Sequence, residues 1–164
     1  MKLLFKQRAF SWLDSYDIYD ENKDTVYTVK GKFSLGHHLI IYDALGVEIG
    51  EIEEEILTFQ PRFVMRVDGN VIGEIKKEFS FFKPKFHLTC NTWQIQGDIL
   101  QWDYQVYDGD KTIMTISQEL LHWTDTYVMD IVNPDDALYC VMIVLAIDAA
   151  KCSANRNRQT GPSF

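Results

Sequence analysis

Chemistry at a protein surface starts from nucleophiles, titratable groups and clustered charge, and this chain offers few of them in useful spacing. His37 and His38 are adjacent. On a strand, neighbours point to opposite faces, so the two cannot close on one metal ion. His87 and His122 have no partner at ligand spacing. Cys90, Cys140 and Cys152 form no metal-type pattern, and Cys140 lies inside an apolar run where a thiol is inert. Gly-x-Ser-x-Gly, phosphate-loop and His-Glu-x-x-His motifs are absent. No catalytic residue, metal or cofactor is therefore assigned.

Two charged groups remain. Asp130, Asp135 and Asp136 precede the apolar run. Their spacing is not that of an EF-hand loop, and helix capping accounts for the last two. Lys76, Lys77, Lys83 and Lys85 cluster in sequence. Lys83 and Lys85 share an outward face if Phe82, Pro84 and Phe86 point inward. These four lysines are the candidate site for an anion or a lipid headgroup; the plainer reading is a solvated face.

The elements that would position them follow from turn signals and alternation. "DENKD" (20–24), "DALG" (43–46), "DGN" (68–70) and "DGD" (108–110) separate β-rich runs. Phe63, Met65 and Val67 alternate onto one face, as do Trp102, Tyr104 and Val106, and Tyr127, Met129 and Ile131. About a dozen strands result. They fall near 3–8, 15–20, 25–31, 37–43, 46–53, 62–68, 71–78, 84–90, 92–97, 101–107, 111–118 and 125–132. "IGEIEEE" (49–55) recurs as "IGEIKKE" (72–78), and "FQPRF" (59–63) as "FKPKF" (82–86). That offset fits a copied hairpin. So long a meander must sandwich or close on itself, because open edges invite aggregation.

Residues 133–151, "NPDDALYCVMIVLAIDAAK", read as a helix. Asn133 caps it, Pro134 suits the first turn, Asp135 and Asp136 favour the positive end and Lys151 the negative one. Residues 137–150 rise only about 21 Å, against a hydrocarbon core of about 30 Å, so a membrane span is not expected. A helix that is apolar all round belongs in a core, and the strands are the only elements able to surround it. The tail beyond 151 is polar and aperiodic and is expected to be flexible past a first helical turn.

The chain has 164 residues and a net charge of −8. That length suits one domain over 1–151, and that charge repels nucleic acid and anionic lipid alike, so an acidic partner would need a local basic patch. The odd cysteine count and the missing signal-peptide core point to the cytoplasm.

Together "VYTVKGKFSLGHHLIIYD", "FFKPKF", "WTDTYVMDI" and the terminal "DDAL…VLAIDAA" resemble the LURP-one-related proteins. That family sits in the Tubby C-terminal-like group with the phospholipid scramblases. The resemblance spans 1–150. It implies a mainly β fold: a closed antiparallel barrel of about twelve strands around a central hydrophobic C-terminal helix. It implies little about activity, and no catalytic motif or phosphoinositide-site motif carries over. The expectation is a non-catalytic binding or scaffold domain, with an anionic lipid or a protein as partner. An enzyme whose site is assembled from distant strands, and a scramblase-like role linked to lipid and calcium, are the alternatives.

Overall fold

The structure is a computed structural model, described over residues 1–6, 15–58, 60–78, 85–119 and 126–159. Twelve strands follow one another: β1 (Lys2–Lys6), β2 (Ser15–Tyr19), β3 (Thr25–Gly31), β4 (His38–Asp43), β5 (Glu48–Glu55) and β6 (Arg62–Val67), then β7 (Asn70–Glu78), β8 (Lys85–Leu88), β9 (Gln94–Asp98), β10 (Asp103–Asp108), β11 (Lys111–Glu119) and β12 (Thr126–Ile131). One helix, α1 (Ala137–Gln159), ends the order.

The turns are made by the residues whose chemistry marks them. Asp43 accepts hydrogen bonds from the backbone of Leu45 and Val47 at 2.9 and 2.8 Å. Between β6 and β7, Asp68 and Gly69 both take positive φ, 50° and 75°. Two such residues give the tight hairpin turn that matches strand twist. Four hairpins carry a register shift one or two residues from the strand end nearest the turn: at Ile18/Tyr19, Ile41/Tyr42, Met65/Arg66 and Val106/Tyr107. Each shift bends its strand and tightens the twist, which is what a sheet needs in order to roll up.

All twelve strands form one antiparallel sheet in the order β8-β7-β6-β5-β4-β3-β2-β1-β12-β11-β10-β9. The β1–β12 ladder, from Lys2 opposite Asp130 to Lys6 opposite Thr126, brings the two ends of the β region together. The roll is nearly closed. Among the described residues its two edges, β8 and β9, lie near each other without forming a ladder, so the expected closed barrel has one seam. The two edge strands are joined by the link over 89–93. It carries no tight-turn pair, and Trp93 is turned toward Tyr139 of α1, ring centroids 6.3 Å apart.

The barrel interior is filled by α1. Val141 to Ala150 is buried on every face, packed against inward residues such as Phe63, Met65, Ile75, Tyr104, Met129 and Ile131. Burying each large apolar side chain is worth roughly 1.5–3 kcal/mol, which explains why so greasy a helix is surrounded. Its start is as expected: Asn133 accepts from Asp135 N at 3.2 Å, and Pro134–Asp136 form a 3-10 turn leading into the helix. Its end is not. The backbone stays helical to Gln159, past the first turn expected for the tail. Residues 152–159 contain neither Gly nor Pro, and Gly161 and Pro162 lie just beyond, so nothing breaks the helix earlier.

Candidate functional site

With the interior filled, the surface holds what remains for function. One barrel end carries two neighbouring loops, 32–37 between β3 and β4 and 56–61 between β5 and β6. They touch where a Cβ on Gly36 would stand 2.7 Å from Ile56 Cγ2 and 2.9 Å from Glu54 O, so only glycine allows the approach. The loops present four apolar side chains to solvent: Phe33 (88% exposed), Leu35 (89%), Ile56 (47%) and Leu57 (97%). Single exposed apolar residues are ordinary, but four on two touching loops suit an interaction surface.

Electrostatics around this rim are set by β5 and its neighbours. The acidic run of β5 would be expected to make the region strongly negative, yet each of its upper carboxylates meets a basic or imidazole group. Glu54 accepts from His37 N at 3.0 Å and lies 2.6 Å from His37 Nδ1. Glu51 meets His38 Nε2. Glu53 accepts from Arg66 at 3.0 Å, and Glu55 pairs with Arg62. On the β3 side, Lys30 is exposed with its ammonium 4.8 Å over the Tyr42 ring. Lys32, also exposed, makes no ion pair among the described residues. Two exposed cations thus precede Phe33 in the chain, and the acids of β5 named above each have a partner.

The lysines singled out from the sequence are placed differently from one another. Lys83 lies outside the described residues. Lys76 shares the outer face with Glu74 and pairs with it at 2.8 Å. The hydrogen bond from Lys76, against some desolvation and aided by the charges of Arg62 and Lys76, holds the Glu74 carboxyl below its usual range. Lys77 alternates onto the face of Ile75, opposite Phe86. Lys85 is exposed, next to the buried Phe86, and stands opposite Glu78. Lys76 and Lys77 therefore point to opposite sides of the sheet, and acids interleave with the outward lysines.

Along the seam runs a cleft of ≈ 740 Å³, lined by Glu78, Lys85, Phe86, Gln94 to Gly97, Ile99, Tyr107, Gly109 and Asp110. Among the described residues no thiol or imidazole lines it. Among the described residues, no three His, Cys, Asp or Glu converge as a metal site. Burial, then the charge of Asp136, pushes the Cys140 thiol up to about 12, and burial raises that of Cys90. Neither is an activated nucleophile. No helix among the described residues is long and apolar enough to cross a membrane.

The rim residues were not singled out from the sequence. A signal was present: "KFSL" and "IL" put apolar side chains between strands, where turns are normally polar.

A nearly closed twelve-stranded antiparallel barrel threaded by its own C-terminal helix places the chain in the Tubby C-terminal-like class of folds. The chain belongs to the LURP-one-related family, whose model matches residues 1–148. It is 33% identical over 149 residues to the uncharacterized protein YxjI of Bacillus subtilis (strain 168), covering 90% of this chain and 92% of that one. Its fold is similar to the X-ray structure of the Arabidopsis thaliana protein AT5G01750, with a TM-score of 0.63 at 16% identity over 90% of this chain and 89% of that one.

Proposed function

We propose that the chain is a non-catalytic binding domain that docks on an anionic lipid surface through the rim of loops 32–37 and 56–61. The observation carrying this reading is the exposure of Phe33, Leu35, Ile56 and Leu57 on touching loops, with Lys30 and Lys32 beside them. Apolar tips that enter the headgroup region and flanking cations that meet anionic lipid are the two ingredients of reversible surface binding. Arg62 and Arg66 offset part of the repulsion that the acidic run of β5 would otherwise add.

Lys76, Lys77, Lys83 and Lys85 are the alternative seat for a headgroup or phosphate. Their mixed faces and acidic neighbours favour the rim instead.

The test is co-sedimentation of the full chain with vesicles of phosphatidylcholine, with and without phosphatidylserine. The chain should pellet with the anionic vesicles. Phe33→Ser with Leu57→Ser, and separately Lys30→Glu with Lys32→Glu, should each abolish pelleting and leave the melting temperature unchanged. Glutamate at all four of the other lysines should change little. Loss of binding in that last variant alone moves the site to β7 and β8, and absence of any binding by the unaltered chain refutes the reading.

A further inference from the structure

The second half of α1 meets the start of β10 through two polar groups on each side. Asp148 and Lys151 are three residues apart on the helix, so they share a face. Trp102 and Tyr104 are both buried, with ring centroids 6.4 Å apart. Lys151 holds its ammonium 3.9 Å over the Trp102 ring and donates to Ile99 O and Leu100 O at 3.1 and 3.2 Å. Those carbonyls belong to the 3-10 turn Ile99–Gln101, which joins β9 to β10. Asp148 is 4% exposed and Tyr104 1%. Neither Asp148 Oδ1 nor Tyr104 Oη has a hydrogen-bond partner among the described residues.

Among the described residues, the titratable and charged groups that act on Asp148 or feel its charge are Tyr104 of β10 and Lys151 of its own helix. Cys140, earlier on α1, bears on Tyr104 and on Tyr27 of β3. The other buried polar residues, His37 and His38, lie at the entry to β4 and meet Glu54 and Glu51. Lys151 is therefore the cation within reach of Asp148. Burial favours the neutral carboxyl, and Lys151 opposes it. In the neutral state the ammonium is spent on backbone carbonyls. Ionisation would leave a buried carboxylate short of a partner, which costs more than a cation–π contact and bonds to neutral oxygens return.

We propose that the proton on the Asp148 carboxyl operates a latch, made by Lys151, between α1 and the turn Ile99–Gln101. With Asp148 neutral, Lys151 grips the two carbonyls and the Trp102 ring. With Asp148 ionised, the carboxylate draws the ammonium back along the helix face and the turn is released. Helix side chains lean toward the N-terminus, so Lys151 has only to fold onto its neighbour three residues earlier. The latch is closed at acid pH and opens as pH rises through the titration of Asp148. Its place is the barrel end that also carries the rim, since Ile99–Gln101 and loops 32–37 and 56–61 all join strands at that end.

The experiment follows the full chain by NMR from pH 5 to 9. The Lys151 Cε protons sit by the Trp102 ring, so at pH 5 they should carry an upfield ring-current shift. That shift should collapse with the same midpoint as the Asp148 carboxyl carbon titrates. Amide exchange at Gln101 and Trp102, corrected for the intrinsic pH dependence, should quicken severalfold over the same range. Asp148→Asn should keep the upfield shift and the slow exchange at every pH. Lys151→Met should exchange fast throughout, with no step, as the open latch does. Several outcomes overturn the proposal: an Asp148 carboxyl that does not titrate in this range, a Lys151 shift that stays fixed while it does, or the same pH response in Asp148→Asn. The vesicle assay for the rim is unaffected by any of them.

Discussion

The ammonium of Lys151 stands 3.9 Å over the ring of Trp102 and donates to the carbonyls of Ile99 and Leu100 at 3.1 and 3.2 Å. This ties the helix to the short 3-10 turn Ile99–Gln101 that joins β9 to β10. Trp102 closes that turn in a left-handed conformation, φ 56°. The ring also packs against Tyr127, centroids 4.6 Å apart.

Lys151→Met keeps the apolar stem and removes the charge. It should lower stability by about 1–3 kcal/mol, the sum expected for a partly desolvated cation–π contact and charge-assisted hydrogen bonds. Urea denaturation checks this, and the midpoint should move without a change in slope.

Asp148 is the buried acid of the helix, and its pKa is pushed up to about 7, first by burial and against the pull of Lys151. Its charge and burial also hold the Tyr104 hydroxyl well above the ordinary range, burial being the larger cause. Neither Asp148 Oδ1 nor Tyr104 Oη has a hydrogen-bond partner among the described residues. Below the unfolded value near 3.8, both states are protonated and the group contributes nothing. As pH rises toward 7 the unfolded chain ionises first, so stability falls, and above that it levels off. Asp148→Asn should match the parent near pH 4 and exceed it at pH 8 by on the order of 4 kcal/mol at most. Urea midpoints measured from pH 4 to 9 check the sign.

Gly73 has φ +155°, and a Cβ there would lie 2.4 Å from Cys90 Cα. Gly73→Ala must displace the link after β8, a backbone clash that should cost about 2 kcal/mol or more. Gly69, φ +75°, has nothing within 4 Å of its Cβ position. Gly69→Ala carries conformational strain alone, about 1 kcal/mol. Thermal unfolding of the two variants should rank them in that order.

Arg66 lies 3.0 Å from Glu53 and 3.7 Å from Glu51. Arg66→Ala leaves those carboxylates, on the barrel wall below the rim, with less compensation. Association with phosphatidylserine vesicles should weaken severalfold at low salt and less at high salt, where screening dominates. Co-sedimentation over a salt series reads both effects.

Much of this architecture is visible along the chain because it depends on local rules. Asp-Gly turns, alternation such as Phe63, Met65 and Val67, and the uninterrupted apolar stretch of α1 declare strands, hairpins and a buried helix one at a time. The repeat of "IGEIEEE" as "IGEIKKE" appears as β5 and β7, second strands of successive hairpins. Where the helix stops was less legible, since polar residues without Gly or Pro can continue a helix or leave it.

The surface sites depend on distance in space instead. Lys76 and Lys77 are neighbours in sequence, yet the pleat sends them to opposite faces, and Glu74 takes up Lys76. Gly36 and Ile56 are far apart in the chain and come together only because β4 and β5 are adjacent in the sheet. The seam depends on one missing ladder between consecutive strands. Residue pattern by itself determined that strands surround a helix, because burying apolar area at a given period is a property of each segment. Which loops meet, which charges are already paired and where the barrel stays open were decided by the tertiary structure, because they depend on how distant segments are brought together.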